Sequence, residues 1–302
     1  MENMVIQMDS VHKYNQMKGV QTPHPLVNVI DLSTAHEEDL GDKRLMYGIY
    51  AIFLKEVDCG NLIYGRQNYD YQEGSIVCVS PGQLIGLVKH GRDYQPKGWA
   101  LVFHPDLIRG TSLGRSIQNY SYFSYQANEA LHLSDNEKRV VKDVLNIIHT
   151  ELEHPVDKHS KTLIVNNIEL LLNYCNRFYE RQFITRGDIN KDILVRFETL
   201  LHGYYQEGKQ LKSGVPTVKY CASELYLSPN YFGDLIKKET GQTAQEFIQA
   251  HVMDRAKELV VGSPKTITEI AYELGFQYPT HFSRLFKKMT DRTPAEYRGQ
   301  GK

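Results

Sequence analysis

Residues 222–247 read ASELYLSPNYFGDLIKKETGQTAQEF, and residues 271–297 read AYELGFQYPTHFSRLFKKMTDRTPAEY. The second stretch is an imperfect copy of the first, and its one extra residue falls in the turn before Phe282. The matching pairs are Ala222/Ala271, Glu224/Glu273, Leu225/Leu274, Phe232/Phe282, Leu235/Leu285, Lys237/Lys287, Lys238/Lys288, Thr240/Thr290, Thr243/Thr293 and Glu246/Glu296. A copy whose length changes only in a turn predicts a repeated supersecondary unit.

The spacing of apolar residues predicts that each unit is a helix, a tight turn and a second helix. In the second copy, apolar residues fall at helical spacing over 267–274 and again over 282–286, with Gly275 between them. Glycine accepts the left-handed backbone that a helix-ending turn needs. The first copy has Tyr226 at this position, so its turn is predicted to be less typical. Both copies are therefore predicted to be helix-turn-helix units.

Helix-start signals support this interpretation. The Thr-x-x-Glu capping boxes are Thr243 with Glu246, Thr266 with Glu269, and Thr293 with Glu296. In the first copy, Ser228 and Pro229 supply a cap and a first-turn proline. Between the copies, TAQEFIQAHVMDRAKELV keeps Ile248, Val252, Arg255 and Leu259 on one face, which predicts a linker helix about 27 Å long at 1.5 Å per residue. Such a rod suits second helices placed in major grooves that recur every ~34 Å.

These residues resemble a known family. The pattern of Ser228 to Gly241, the Arg255-Ala256 pair, and IxEIAxxLGFxxxxHFSRxFKKxxxxTPxxYR over Ile267 to Arg298 closely resemble the DNA-binding domain of AraC-type transcription regulators. The resemblance covers about a third of the chain. It departs from the family at Asp291, where glycine is usual, and at Gly233 and Asp234, where relatives often carry a polar or basic residue.

The DNA contacts are predicted on the second helix of each copy, since such a helix reads bases with its early exposed residues and holds phosphates further along. The predicted DNA-binding residues are Asn230, Tyr231, Lys237, Lys238, Thr280, His281, Arg284, Lys287 and Lys288. The family's base-reading positions fall on Thr280, His281 and Arg284. Two alternatives to these roles stay open. Arg284 would be a phosphate clamp or part of a surface ion pair, and the lysine pairs would be solvated faces.

Composition gives no strong sign of nucleic-acid binding. The 302 residues contain 35 Lys and Arg against 36 Asp and Glu. From Lys191 onward there are 16 basic and 13 acidic residues, so the excess in this part is modest and a few placed contacts are expected to carry affinity. Cys59, Cys78, Cys175 and Cys221 form no CxxC pair, and no signal core or apolar run of membrane length is present, so a cytoplasmic protein with reduced thiols is predicted.

The part before residue 134 predicts β-structure. From Leu45, short apolar runs alternate with turn signals, which favours an antiparallel sandwich or barrel. The resemblance implies a cupin-like effector-binding barrel here. Candidate effector-binding residues are Tyr47, Tyr50, Tyr64 and Trp99, although aromatic residues at strand spacing are also typical of sheet packing. His36, His90 and His104 are far apart and form no HxH pair, so no metal and no other cofactor is predicted.

The expected fold class is α+β with two domains: a cupin-like barrel followed by helices, and an all-α domain of two helix-turn-helix units with their linker helix. The predicted segments are a regulatory barrel at 1–133, a helical pair at 134–182, a linker at 183–190 and the DNA-binding domain at 191–302. The helical pair either forms a dimer interface, as often in the family, or only covers the barrel.

The leading hypothesis is a non-enzymatic, sequence-specific transcription regulator controlled by a small molecule. The expected partners are double-stranded DNA, a sugar or metabolite effector, a second copy of the chain and RNA polymerase, with no membrane. One alternative is a regulator without a ligand, whose barrel serves assembly. Another is a cupin metalloenzyme fused to a DNA-binding module, which would need a metal cluster that the sequence lacks.

Overall fold

The protein, seen here in a computed structural model, divides into two compact units, Met1–Thr185 and Arg186–Lys302. The structure describes residues 5–36, 44–56, 62–64, 67–69, 74–87, 97–125, 129–185 and 187–300. The first unit combines sheets with helices and the second is helical. A mixed fold with its sheets in the N-terminal part, as predicted, is confirmed.

The described strands of the first unit form two five-stranded sheets. The first contains, in spatial order, β1 (Val5–Met8), β3 (Arg44–Tyr47), β8 (Leu84–Leu87), β5 (Leu62–Tyr64) and β6 (Gln67–Tyr69). The second contains β10 (Leu131–His132), β7 (Ser75–Val79), β4 (Tyr50–Lys55), β9 (Gly98–Phe103) and β2 (Val27–Asp31). Neighbouring strands are antiparallel apart from β1 and β3, which are parallel.

Alternation along the strands divides the buried side chains between two layers. On β9, Ala100 and Val102 join one apolar cluster with Leu45 and Ile85 of the first sheet, so this cluster lies between the sheets. Leu101 and the other odd-numbered residues of β9 face the opposite side of the second sheet. The unit therefore has an inner core between the sheets and an outer core under its helices.

The helices of the first unit are α1 (Val11–Lys18), α2 (Pro105–Ile108), α3 (Ser112–Ser116), α4 (Asp135–Glu153) and α5 (Ser160–Thr185), with 3₁₀ turns at Ile117–Asn119 and Ser121–Ser124. Helix α1, which begins at a Ser10 cap and ends at left-handed Gly19, was not predicted from the sequence. A capping box of Ser134 and Glu137 starts α4. Helices α4 and α5 pack together, and α4 also packs on β2.

The second unit contains eight helices in its described part: α6 (Gly187–Gln206), α7 (Gln210–Ser213), α8 (Val218–Glu224), α9 (Pro229–Thr240), α10 (Ala244–Gly262), α11 (Ile267–Glu273), α12 (Pro279–Thr290) and α13 (Pro294–Gln300). Helix α10 packs against α8, α9, α11, α12 and α13. The helix predicted as a linker is thus also the centre of the unit.

The predicted irregular linker at 183–190 needs correction. Helix α5 continues to Thr185 and α6 already begins at Gly187. Gly187 and Asp188, which fall within the predicted linker, lie in the first turn of α6, where the backbone N–H groups have no partner within the helix in any case. The prediction from turn-forming residues therefore ended α5 too early and began α6 too late.

Candidate nucleic-acid interface

The same turn joins the helices in the first helix pair (α8 and α9) and in the second helix pair (α11 and α12). The Leu227 N–H donates to the Ala222 carbonyl at 2.9 Å, and the Phe276 N–H donates to the Ala271 carbonyl at 2.9 Å. These bonds close the first helix of each pair and aim the chain into the next helix. The repeat in the sequence is therefore a repeat in structure.

Helix α9 places Asn230 in solvent within its first turn, after the Ser228 cap, whose side chain accepts from the Tyr231 N–H. Tyr231 was predicted to point outward, and this is wrong, because only 4% of it is exposed. Tyr231, Phe232, Leu235 and Ile236 form one buried face. The Tyr231 side chain therefore packs inside the helical unit together with Phe232 and Leu235 and does not face solvent.

Helix α12 places Thr280, His281 and Arg284 in solvent, while Phe282 and Phe286 are fully buried. Leu285, the repeat partner of the buried Leu235, is only partly buried. The Tyr278 ring lies against the His281 ring with centroids 5.3 Å apart. Tyr278 is 59% exposed and was not among the predicted site residues. An aromatic residue at the helix-cap position is the feature of the sequence that could have indicated Tyr278 as a site residue.

The four lysines of the repeat lie in the last turns of α9 and α12 and are exposed. Helix α12 carries Arg284, Lys287 and Lys288 and no carboxylate. Helix α9 balances Lys237 and Lys238 with Asp234 and Glu239. The second helix pair therefore presents the more positive surface to an anionic partner.

Helix α10 lies between the two pairs along the chain and spans 19 residues, about 28 Å at 1.5 Å per residue. Its Arg255 guanidinium lies 5.4 Å from the ring centroid of Tyr205 on α6, a cation–π contact. At its end, the Arg298 Nε of α13 donates to the Val260 carbonyl at 2.6 Å. This bond satisfies one of the carbonyls that a helix end leaves open. Arg255 and Arg298, two motif arginines, thus hold α10 in place.

The predicted effector-binding aromatics do not share one pocket. Tyr47 lies in the inner core, where it packs near Tyr14 and Phe53 at centroid distances of 6.4 and 6.5 Å. Tyr50 stacks on Phe103 at 4.9 Å, on the outer side of the second sheet. On that side Trp99 contacts the α4 residue His149, with ring centroids 6.2 Å apart. The side chain of Tyr64 lies outside the described residues. Tyr47 of the first sheet faces the inner core, whereas Tyr50 and Trp99 lie on the outer face of the second sheet.

No reactive or metal-binding group stands out in the described part of the chain. There, no three His, Cys, Asp or Glu side chains come together in a way that would hold a metal ion. His90 and Cys59 lie outside the described residues. Cys78, Cys175 and Cys221 are buried free thiols. Burial raises the pKa of Cys175 and of Cys221 to about 12, so both are protonated at neutral pH.

Within the described ranges, none of the helices combines the length and the apolar character needed to cross a bilayer.

Comparison with known proteins matches the helical unit to a family described as "Helix-turn-helix domain", over residues 221–300. The chain is 26% identical over 227 residues to "Uncharacterized HTH-type transcriptional regulator YijO" of Escherichia coli (strain K12), covering 75% of this chain and 76% of that protein. It is 24% identical over 230 residues to "Probable transcriptional regulator LumQ" of Photobacterium leiognathi, covering 74% and 82%.

Among solved structures, the chain is similar to a transcriptional regulator of the group "AraC-type DNA-binding domain-containing proteins" from Chromobacterium violaceum. The identity is 24%, the TM-score is 0.27, and the match covers 28% of this chain and 77% of the other.

Proposed function

We propose that this chain is a transcriptional regulator whose AraC-type helix-turn-helix domain reads one continuous double-stranded DNA site, with α9 and α12 in neighbouring major grooves. The observation that carries the proposal is the duplicated exposure of polar residues in the first turns of α9 and α12. The length of α10, about 28 Å, is compatible with groove centres that recur every ~34 Å.

The residue roles follow from side-chain chemistry. Arg284 has the two-pronged donor geometry for the O6 and N7 atoms of guanine, and Asn230 can donate to and accept from adenine. Thr280 and His281 flank Arg284 on the exposed side of α12. Lys237, Lys238, Lys287 and Lys288 bind backbone phosphates without regard to sequence. Tyr231 takes no part, because it is buried.

The test is selection of bound duplexes from a random library by the full-length chain. We expect two short motifs whose centres lie about one helical turn apart. Asn230→Ala should weaken the base preference within one motif, and Arg284→Ala should weaken it within the other. If both variants weaken the base preference within the same motif, or if a single motif is selected, the two helices do not read neighbouring grooves.

For the first unit we propose a cupin-like barrel that binds a small effector, a sugar or another metabolite, between its sheets. Support comes from the aromatic group of Tyr14, Tyr47 and Phe53, in which Phe53 is only partly buried. A partly exposed aromatic ring such as Phe53 suits the apolar side of a small ligand. Tyr50 and Trp99 are left out, because they pack on the other side of the second sheet.

Mass spectrometry of small molecules released from the purified protein tests this site. A stoichiometric ligand should be retained by the wild type and by Trp99→Phe, and lost from Phe53→Ala. If nothing co-purifies and no metabolite changes DNA binding, the unit acts in assembly alone. A stoichiometric divalent metal would instead favour the metalloenzyme alternative.

We further propose that α4 and α5 pair with a second copy of the chain. Ile147 on α4 and Leu163 and Leu170 on α5 are 52%, 45% and 43% exposed. Leu163 and Leu170 are two helical turns apart, so they lie on one stripe of α5. Sedimentation analysis of Leu163→Lys with Leu170→Lys should give a monomer where the wild type is a dimer. RNA polymerase remains an expected partner, and a cytoplasmic location remains an expectation.

A further inference from the structure

The residue before the second helix differs between the two helix pairs. In the first pair it is Ser228, which is 2% exposed and caps α9 through its side chain. In the second pair it is Tyr278, which is 59% exposed and makes no side-chain cap bond to α12. Serine is among the preferred residues at a helix cap, and tyrosine is not. The second pair therefore carries at this position a large aromatic residue that does not cap its helix.

Tyr278 is held in place although it is exposed. Its backbone is extended, with φ at −127° and ψ at 118°, and the following Pro279 restricts it to this region. Its ring lies against the His281 ring, with the centroids 5.3 Å apart and the ring planes 63° from each other. Such an edge-on arrangement is favourable for two aromatic rings. A side chain that is already ordered loses little conformational entropy when it binds a partner.

The position of Tyr278 relates it to the proposed base-reading residues. It directly precedes α12, and Thr280 and His281 in the first turn of that helix are exposed. In a helix-turn-helix domain, the residues at the start of the second helix contact the base edges. Of the groups that base pairs display in the major groove, the C5-methyl group of thymine is the apolar one. An exposed and ordered aromatic ring at this place therefore matches thymine.

We propose that Tyr278 contacts the methyl group of one thymine in the DNA motif bound by α12, and so adds a base preference to those set by the predicted readers on that helix. The inference rests on the proposed function and adds one specificity-determining residue to it. The contact uses the carbon atoms of the ring, so it does not need the phenolic hydroxyl. His281 has a positioning role, because its ring fixes the orientation of the Tyr278 ring.

The test uses the full-length chain and the duplex selected from the random library. In the motif whose base preference Arg284→Ala weakens, each thymine is replaced in turn by deoxyuridine, which removes only the methyl group. At one position we expect the wild type to bind the deoxyuridine duplex about four-fold more weakly than the thymine duplex, the factor that burial of one such apolar group provides. Titrations at one fixed salt concentration measure this ratio of affinities, called here the methyl ratio.

Three variants separate a base contact from a structural role. Tyr278→Ser gives the second pair the cap residue of the first, so it should be at least as stable as the wild type in urea denaturation. It should nevertheless bind the thymine and deoxyuridine duplexes equally. Tyr278→Phe keeps the ring and should keep the methyl ratio. Tyr272→Ala is the matched control, because it removes another exposed tyrosine of the same helix pair, and it should keep the ratio as well.

Several results would overturn the proposal. They are an α12 motif without thymine, a wild-type affinity that no deoxyuridine exchange changes, and a methyl ratio that persists in Tyr278→Ser. Loss of the ratio in Tyr278→Phe also overturns it, because the hydroxyl and not the ring would then make the contact. Loss of the ratio in Tyr272→Ala would show that the effect is not specific to Tyr278. If the wild-type chain selects no duplex, the proposed function itself is wrong, whereas selective binding without any effect of deoxyuridine rejects this inference alone.

Discussion

The two helix pairs of the second unit share one backbone design and use it with different residues. Each first helix ends in a turn with a residue of positive φ, Tyr226 at 60° and Gly275 at 90°. Each second helix ends the same way, at Gly241 with 73° and Asp291 with 59°. Glycine and a bulkier residue have thus exchanged places between the copies. The comparison shows that positive φ alone does not decide where the chain needs glycine.

In the turn between the two helices of each pair, the space around the residue decides whether glycine is needed. A Cβ built on Gly275 would lie 2.8 Å from the Gly214 carbonyl carbon and 3.0 Å from the Gln210 oxygen and the Val215 nitrogen. All three are backbone atoms, which cannot move aside as a flexible side chain can. Tyr226, by contrast, is 65% exposed. The second pair is therefore built against the segment that follows α6, and the first pair leaves its turn open.

The second helices differ in charge and in their caps. Helix α12 has three basic residues and no acidic ones, whereas the charges of α9 cancel. The α9 cap residue, Ser228, accepts a hydrogen bond from the helix, and the α12 cap residue, Tyr278, makes no such bond. The duplicated backbone therefore carries one pair suited to phosphate binding and one with a better-capped second helix.

Gly275 and Gly241 both have positive φ, but only Gly275 also lacks room for a Cβ atom. Gly275→Ala should lower the free energy of unfolding by about 3 kcal/mol, because it combines a left-handed alanine with a backbone clash. Gly241→Ala should lower it by only about 1 kcal/mol, since a Cβ there meets nothing within 4 Å. Urea denaturation followed by circular dichroism measures both. Equal losses would mean that the close approach to Gly214 is unimportant.

The charge difference gives the next prediction, on DNA binding. Arg284→Ala should weaken binding to the selected duplex by 10- to 100-fold, roughly 1–3 kcal/mol, and relax preference at one base position. Lys288→Ala should weaken all duplexes alike and reduce the salt slope by about one. Titrations of wild type and variants against selected and random duplexes at several salt concentrations distinguish the two. Identical behaviour would remove the distinction between base reader and phosphate binder on α12.

A smaller effect is expected at the caps. Ser228→Ala removes a side-chain acceptor from the first turn of α9 and should lower the free energy of unfolding by about 1 kcal/mol. Tyr278→Ala removes no cap bond, so its effect should be a few tenths of a kcal/mol at most. Thermal unfolding of the two variants beside the wild type checks this. A larger loss at Tyr278 would show that its contact with His281 stabilises α12.

The sequence predicted those features that depend on neighbouring residues. The capping boxes, the α10 helix and the burial of Phe232, Phe282 and Phe286 are all local patterns, and the structure confirms them. The misjudged features depend on tertiary contacts. Tyr231 is buried because α9 packs on several helices at once, and Tyr47 on the inner face of the first sheet is separated from Tyr50 on the outer face of the second. Local spacing does not contain that information.

The two non-glycine residues of positive φ, Tyr226 and Asp291, should respond differently to glycine. Tyr226→Gly should raise the free energy of unfolding by about 0.5 kcal/mol, because a bulky residue in the left-handed region is strained by more than glycine loses in entropy. Asp291→Gly should change it by close to zero, since aspartate tolerates this region better and its smaller strain is offset by the flexibility of glycine in the unfolded chain. Chemical denaturation of both variants decides the matter. If Tyr226→Gly is destabilising, then the Tyr226 side chain contributes more through its contacts than its backbone loses, and the open turn of the first pair is held by that side chain.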